Sequence, residues 1–88
     1  MKKSGVASQG HEHLDLAAFR EHKGISLRHI ADTTKISMRF LKAIEEGDFE
    51  QLPGGIYSSS YIRQYAREIG FEEGKLLAHY HSLVGTGS

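Results

Sequence analysis

The chain has 88 residues, no cysteine, 39% hydrophobic side chains, and eleven Lys plus Arg against eleven Asp plus Glu. So short a chain builds one small domain that buries roughly 60–65% of its surface, which argues against a deep catalytic cleft. The composition excludes a disulfide framework, a thiolate nucleophile and a zinc-ribbon site, a uniformly basic nucleic-acid coat, and any apolar run of the ~18–20 residues that span a bilayer.

Residues 1–13 are polar, contain Gly and Ser, and show no periodicity, so they are expected to form a disordered arm. Residues 85–88 read as a flexible tail. Between them, residues 14–84 are patterned as helix throughout, and Pro53 is the only proline. A first helix is expected over 15–23, with Asp15 as its N-cap, Leu16 and Phe19 on one face, and Gly24 as a left-handed terminator. Next, ISLRHI at 25–30 and ISMRFL at 36–41 echo one another eleven residues apart. In each, the serine caps a helix, while the preceding isoleucine staples onto a later apolar residue: Ile25 onto Ile30, Ile36 onto Leu41. Caps that close leave room for one short helix, a tight turn near Thr34 and Lys35, and a second helix ending at Gly47. That is helix-turn-helix spacing.

The segment 48–55 is expected to be a loop whose Phe49 and Leu52 plug the core. A fourth helix follows over 57–69, stopped by Gly70. Ile62, Ala66 and Ile69 share one face with Tyr65 beside them, and Tyr61 and Tyr57 turn progressively toward solvent. A fifth helix over 72–84 offers Leu76, Leu77, Tyr80 and Leu83 or Val84 to close the core, and its first-turn acids suit the helix dipole. The expected fold is all-α, a compact five-helix bundle around a helix-turn-helix core.

GISLRHIA at 24–31, with Ile36-Ser37 and Ile44-Glu45-Glu46-Gly47, resembles the lambda-repressor/Xre superfamily at its helix-one-to-two junction, its turn and the end of its recognition helix. A longer string, SLRHIADTTKISMRFLKAIEEGDFEQLPGGIYSSSYIRQYAREIG, closely resembles the cytoplasmic N-terminal domain of the RodZ family. That family is marked by a T-K-I turn, an A-I-E-x-G-D-F-x-x-L-P-G loop and an aromatic Y-I-R-x-Y-A-R fourth helix. The resemblance covers residues 14–81. It implies a bacterial, cytoplasmic, non-catalytic adaptor that docks on the actin-like filament protein MreB and couples it to the cell-wall machinery. The family presents fourth-helix aromatics to the filament; the matching positions are Tyr57 and Tyr61, flanked by Arg63 and Tyr65. The family also continues into a basic juxtamembrane stretch, a transmembrane helix and an outer domain. The chain is therefore expected to be an excised domain, lying at the cytoplasmic face of the inner membrane, or a stand-alone relative. Phe19 replaces the small residue usual in the family's first helix.

The runner-up reading is a small Xre-type regulator whose third helix enters the major groove of duplex DNA. Ser37, Met38, Arg39 and Lys42 would then face base edges, while Arg28 and Lys35 would hold phosphates. Charge is unevenly spread: residues 20–42 carry six basic and two acidic side chains, a net +4, and residues 43–52 carry −4. The acidic stretch, Glu45, Glu46, Asp48 and Glu50, reads as solvated. His79 and His81 make no metal site, since i and i+2 diverge by about 200° on a helix, and the His11/His13 pair of the arm is expected to chelate adventitious metal at most. The Ser58-Ser59-Ser60 run has no positioned base, and neither Gly54-Gly55 nor Gly74-Lys75 forms a phosphate loop. No cofactor, metal or small-molecule substrate is expected.

Overall fold

The first three helices each begin where a side-chain oxygen takes up an N–H that a helix terminus leaves unmade. The computed structural model describes residues 14–84, so the arm expected over 1–13, with His11 and His13, and the tail over 85–88 lie outside the described residues. Helix α1 (Leu16–His22) starts at Asp15, whose Oδ1 accepts the Ala18 N–H at 3.1 Å. Helix α2 (Leu27–Thr34) starts at Ser26, whose Oγ accepts the His29 N–H at 3.0 Å. Helix α3 (Met38–Glu46) starts at Ser37, whose Oγ accepts the Phe40 N–H at 3.3 Å. Both serine caps therefore close the helix-turn-helix as the sequence echo requires.

The turn between α2 and α3 is built on Lys35, which adopts a left-handed conformation at φ +66° and donates its N–H to the Ala31 carbonyl at 2.8 Å. Thr34 locks it from both sides. Its hydroxyl donates to the Ile30 carbonyl at 2.7 Å and accepts from the Ile36 N–H at 3.1 Å. Helix α3 ends on left-handed Gly47, and a 3₁₀ turn (Phe49–Gln51) follows. Helix α4 (Gly55–Ile69) begins two residues earlier than the pattern suggests, because buried Ser58 accepts the Gly54 N–H at 2.8 Å and folds the Gly54-Gly55 corner onto the first turn. Gly70 ends α4, and α5 (Glu73–Val84) follows.

The core runs through every helix: Leu16 of α1, Ile30 of α2, Leu41 and Ile44 of α3, Ile62, Ala66 and Ile69 of α4, Leu76 of α5. Phe49 and Leu52 plug it from the 3₁₀ turn, as expected. Phe49 is held edge-on by Tyr80, with ring centroids 5.1 Å apart. Truncating a side chain such as Leu41 or Leu76 to Ala would cost about 2–5 kcal/mol. Phe19 packs differently from a small residue: its ring meets Phe71 edge-on at 5.2 Å, and the Lys23 ammonium sits 4.8 Å from its centroid. One expectation fails. Leu83 and Val84 do not close the core but stand exposed, with Leu83 beside Gly47 at the end of α3. Among the described residues there is no strand, and no helix is long and apolar enough to cross a membrane.

Candidate partner-binding surface

Helix α4 sorts its aromatic residues by angle. Its buried face carries Ser58, Ile62, Tyr65, Ala66 and Ile69. At about 100° per residue, Tyr61 and then Tyr57 lie further around one flank. Tyr61 is half-buried and Tyr57 is 60% exposed. Neither ring stands alone. Phe40, from the first turn of α3, stacks on Tyr61 with centroids 5.7 Å apart and planes inclined by 27°. Tyr61 in turn meets Tyr57 at 6.5 Å. The three rings form a ladder across the α3–α4 seam, from half-buried Phe40 to solvent-facing Tyr57. Such a ladder holds its outermost ring at low entropic cost, which suits a protein contact.

The other two residues matched to this surface do not join it. Tyr65 is 0% exposed, and its hydroxyl turns inward to donate to Glu45 Oε2 at 2.7 Å. Arg63, two residues after Tyr61, lies about 200° around the helix. It falls on the flank of α4 that faces the start of α5, where its charge helps to hold the Glu73 carboxyl below the usual range. The chief cause of that shift is the hydrogen bond from Arg67, whose Nε donates to Glu73 Oε2 at 2.9 Å.

A buried polar cluster joins α1, α3 and α4. Glu45 was read as solvated, yet its side chain is only 8% exposed and that of Arg20 only 10%. The Arg20 guanidinium is forked onto Glu45: Nε donates to Oε2 and Nη2 to Oε1, the latter at 3.3 Å. Its Nη1 donates to the Ile25 carbonyl at 2.9 Å. The cluster thus ties α1, the entry to α2, α3 and α4 through fixed donors and acceptors. Hydrogen bonding to Glu45 raises the Arg20 pKa, and burial, more than the Glu45 contact, pushes the Tyr65 phenol far above its ordinary range. Arg20 and Tyr65 are thereby both held in their protonated forms.

The helix-turn-helix face is more mixed than the local sum suggests. Arg28, Lys35, Ser37, Arg39 and Lys42 are exposed and Met38 is half-buried. Arg20 leaves the basic set because it is spent on Glu45. Met38, Arg39 and Lys42 line a shallow groove of about 490 Å³ with Ala43, Glu46, Asp48 and Gln51. Cations occupy one end of this groove and carboxylates the other, so a phosphate backbone following α3 would meet repulsion at its C-terminal end.

Sequence reasoning missed Phe40 and the Arg20–Glu45 pair. Phe40 had a signal: placed four residues before Ile44, it sits at the edge of the apolar stripe of α3. The Arg20–Glu45 pair had none, since its members are 25 residues apart.

Comparison with known proteins agrees with this geometry. A family model described as a helix-turn-helix domain matches residues 15–76. Among curated proteins, the chain is similar to the uncharacterized membrane protein YmfM of Bacillus subtilis (strain 168), at 36% identity over 64% of this chain and 19% of that protein. It is also similar to the cytoskeleton protein RodZ of Streptococcus pneumoniae, at 33% identity over 72% of this chain and 23% of that protein. The chain therefore spans about a fifth of the length of these relatives. No solved structure gives a significant match. With α2 and α3 capped and packed as they are, and with the family match covering all but the last turns of α5, the chain belongs to the helix-turn-helix domain family as a RodZ-type module.

Proposed function

We propose that the domain is a non-catalytic adaptor that docks on the actin-like filament protein MreB through the Phe40–Tyr61–Tyr57 side of α3 and α4. The observation that carries this reading is Tyr57, a large ring left 60% exposed yet braced from behind by Tyr61. A tyrosine kept rigid in solvent is a strong anchor, because little freedom remains to be lost when a partner covers it. The similarity to a relative named as a cytoskeleton protein supports the choice of partner. The test is co-sedimentation with MreB filaments. Tyr57→Ala with Tyr61→Ala is expected to abolish co-sedimentation while the helical circular-dichroism spectrum is retained. Undiminished co-sedimentation of the double variant would overturn the reading.

A second reading, duplex DNA binding through α3, is favoured by the joint exposure of Arg28, Lys35, Arg39 and Lys42 on the helix-turn-helix face. It requires a titration with random duplex at low salt to show binding that weakens steeply as salt rises and is lost in Arg39→Ala with Lys42→Ala. A flat titration disposes of it.

A further inference from the structure

The apolar stripe of α5 leaves the core toward its end. Leu76 and Leu83, seven residues apart, lie on one face of the helix, yet Leu76 is fully buried while Leu83 is 48% and Val84 38% exposed. Beside these two residues, where α3 gives way to the 3₁₀ turn, is a cleft of about 290 Å³ lined by Gly47, Asp48, Phe49, Glu50, Leu83 and Val84. Its floor is apolar and fixed, because Phe49 is wedged edge-on against both Tyr80 and His79 of α5. Its rim is acidic, with Asp48 and Glu50 exposed and Glu46 exposed just before Gly47. Helix α3 ends at Gly47, so the negative end of its dipole adds to the carboxylates at the same place.

We propose that this cleft is a docking site for a basic segment of a partner protein, with a leucine-sized side chain set against Phe49, Leu83 and Val84, and lysine or arginine on either side facing Asp48 and Glu50. Charge complementarity selects the occupant. An acidic or neutral apolar segment would leave the two rim carboxylates and the end of α3 without a counter-charge, and a polar basic segment would leave the exposed leucine and valine wet. The site is separate from the aromatic ladder and does not depend on what docks there. A domain with both surfaces could hold two partners at once.

The test uses the whole chain, ¹⁵N-labelled, titrated with the peptide KKLIKK and followed by amide chemical shifts. The expected result is a set of shifts confined to residues 46–50 and 81–84, weakened by added salt. Asp48→Asn with Glu50→Gln, which alters two exposed side chains, is expected to raise the Kd by about tenfold. Leu83→Ser is expected to do the same without changing the salt dependence, and a thermal melt of each variant confirms that the fold persists. The peptides EELIEE and KKSSKK serve as controls. Equal shifts from either control, shifts scattered over other faces, or an unchanged Kd in the charge variant would overturn the proposal. Shifts at the cleft that follow protein concentration alone would also overturn it, by making a second copy the occupant.

Discussion

Tyr65 of α4 donates its hydroxyl proton to Glu45 of α3 across 2.7 Å, and the accepting oxygen is the one that also takes the Arg20 Nε–H. A single carboxylate oxygen therefore serves helices α1 and α4 together. Glu45 is satisfied only while both donors are in place. Its burial makes each partner expensive to lose, since any group left behind is a charge or dipole with no water to receive it.

Removing members of this cluster should therefore be strongly non-additive. Glu45→Ala strands the Arg20 guanidinium and is expected to cost about 3 kcal/mol or more. Tyr65→Phe removes one hydrogen bond to a charged acceptor and should cost about 1.5–3 kcal/mol. The triple change Arg20→Met, Glu45→Leu, Tyr65→Phe should recover most of the Glu45→Ala loss, because apolar replacement of a whole buried ion pair is often neutral. Urea unfolding of the set measures all three.

The raised Tyr65 pKa makes a signed prediction for alkaline pH. The folded state favours the protonated phenol, so the stabilisation is complete below the unfolded tyrosine value of about 10 and is lost as pH rises through the folded value. The parent chain should lose stability progressively above about pH 10. Tyr65→Phe, less stable at pH 8, lacks this site's contribution, so the two urea midpoints should converge as pH climbs. Parallel curves would show that the hydroxyl does not carry the effect.

Lys35 and Gly70 share a left-handed backbone, at φ +66° and φ +78°, but only one of them is a glycine. Lys35→Gly should therefore stabilise the domain by about 0.5–1 kcal/mol, through relief of a conformation that L side chains resist. Gly70→Ala should destabilise it by about 1 kcal/mol, since the new methyl is strained there. It would also sit 2.7 Å from the Lys23 ammonium, a flexible group that can swing aside. Opposite signs in thermal melts confirm the backbone argument.

Docking should follow the ladder and not the sequence motif. Phe40→Ala removes the ring that braces Tyr61 and is expected to weaken filament co-sedimentation about tenfold, equivalent to about 1.4 kcal/mol. Phe40→Tyr should retain it. Arg63→Glu, on the opposite flank of α4, should leave co-sedimentation unchanged. A large effect from Arg63→Glu would place the contact on the α4–α5 side instead.

The contrast between Phe40 and Arg63 shows where sequence reasoning reaches its limit. Caps and stops were legible because each depends on a residue and its near neighbours: Ser26 and Ser37 at φ and ψ values that open a helix, Gly24, Gly47 and Gly70 at values that only glycine adopts freely. Tyr57 and Tyr61 were separable from the core by angle alone. Tyr65 and Arg63 were placed beside them by motif, although the same angular arithmetic puts one in the core and the other on the far flank. Glu45 looked like one solvated acid among several because its partner is in α1, and no local pattern reports which carboxylate a distant arginine will reach. Leu83 carries the correct face for burial, yet it meets only the Gly47 corner and stays half-exposed, which no local pattern reports.

The polar tie at Glu45 gathers α1, α3 and α4 and does not reach α5, which packs through buried Leu76 and carries an exposed Arg67–Glu73 pair at its start. Protection against hydrogen exchange should accordingly be graded along the chain. The amides of Ile44, Ile62 and Ala66 should exchange only on global unfolding, while those of α5 beyond Tyr80 should exchange through cheaper local opening. The last turn of α5 is thus the part of the domain that can loosen on its own, while Leu76 stays in the core.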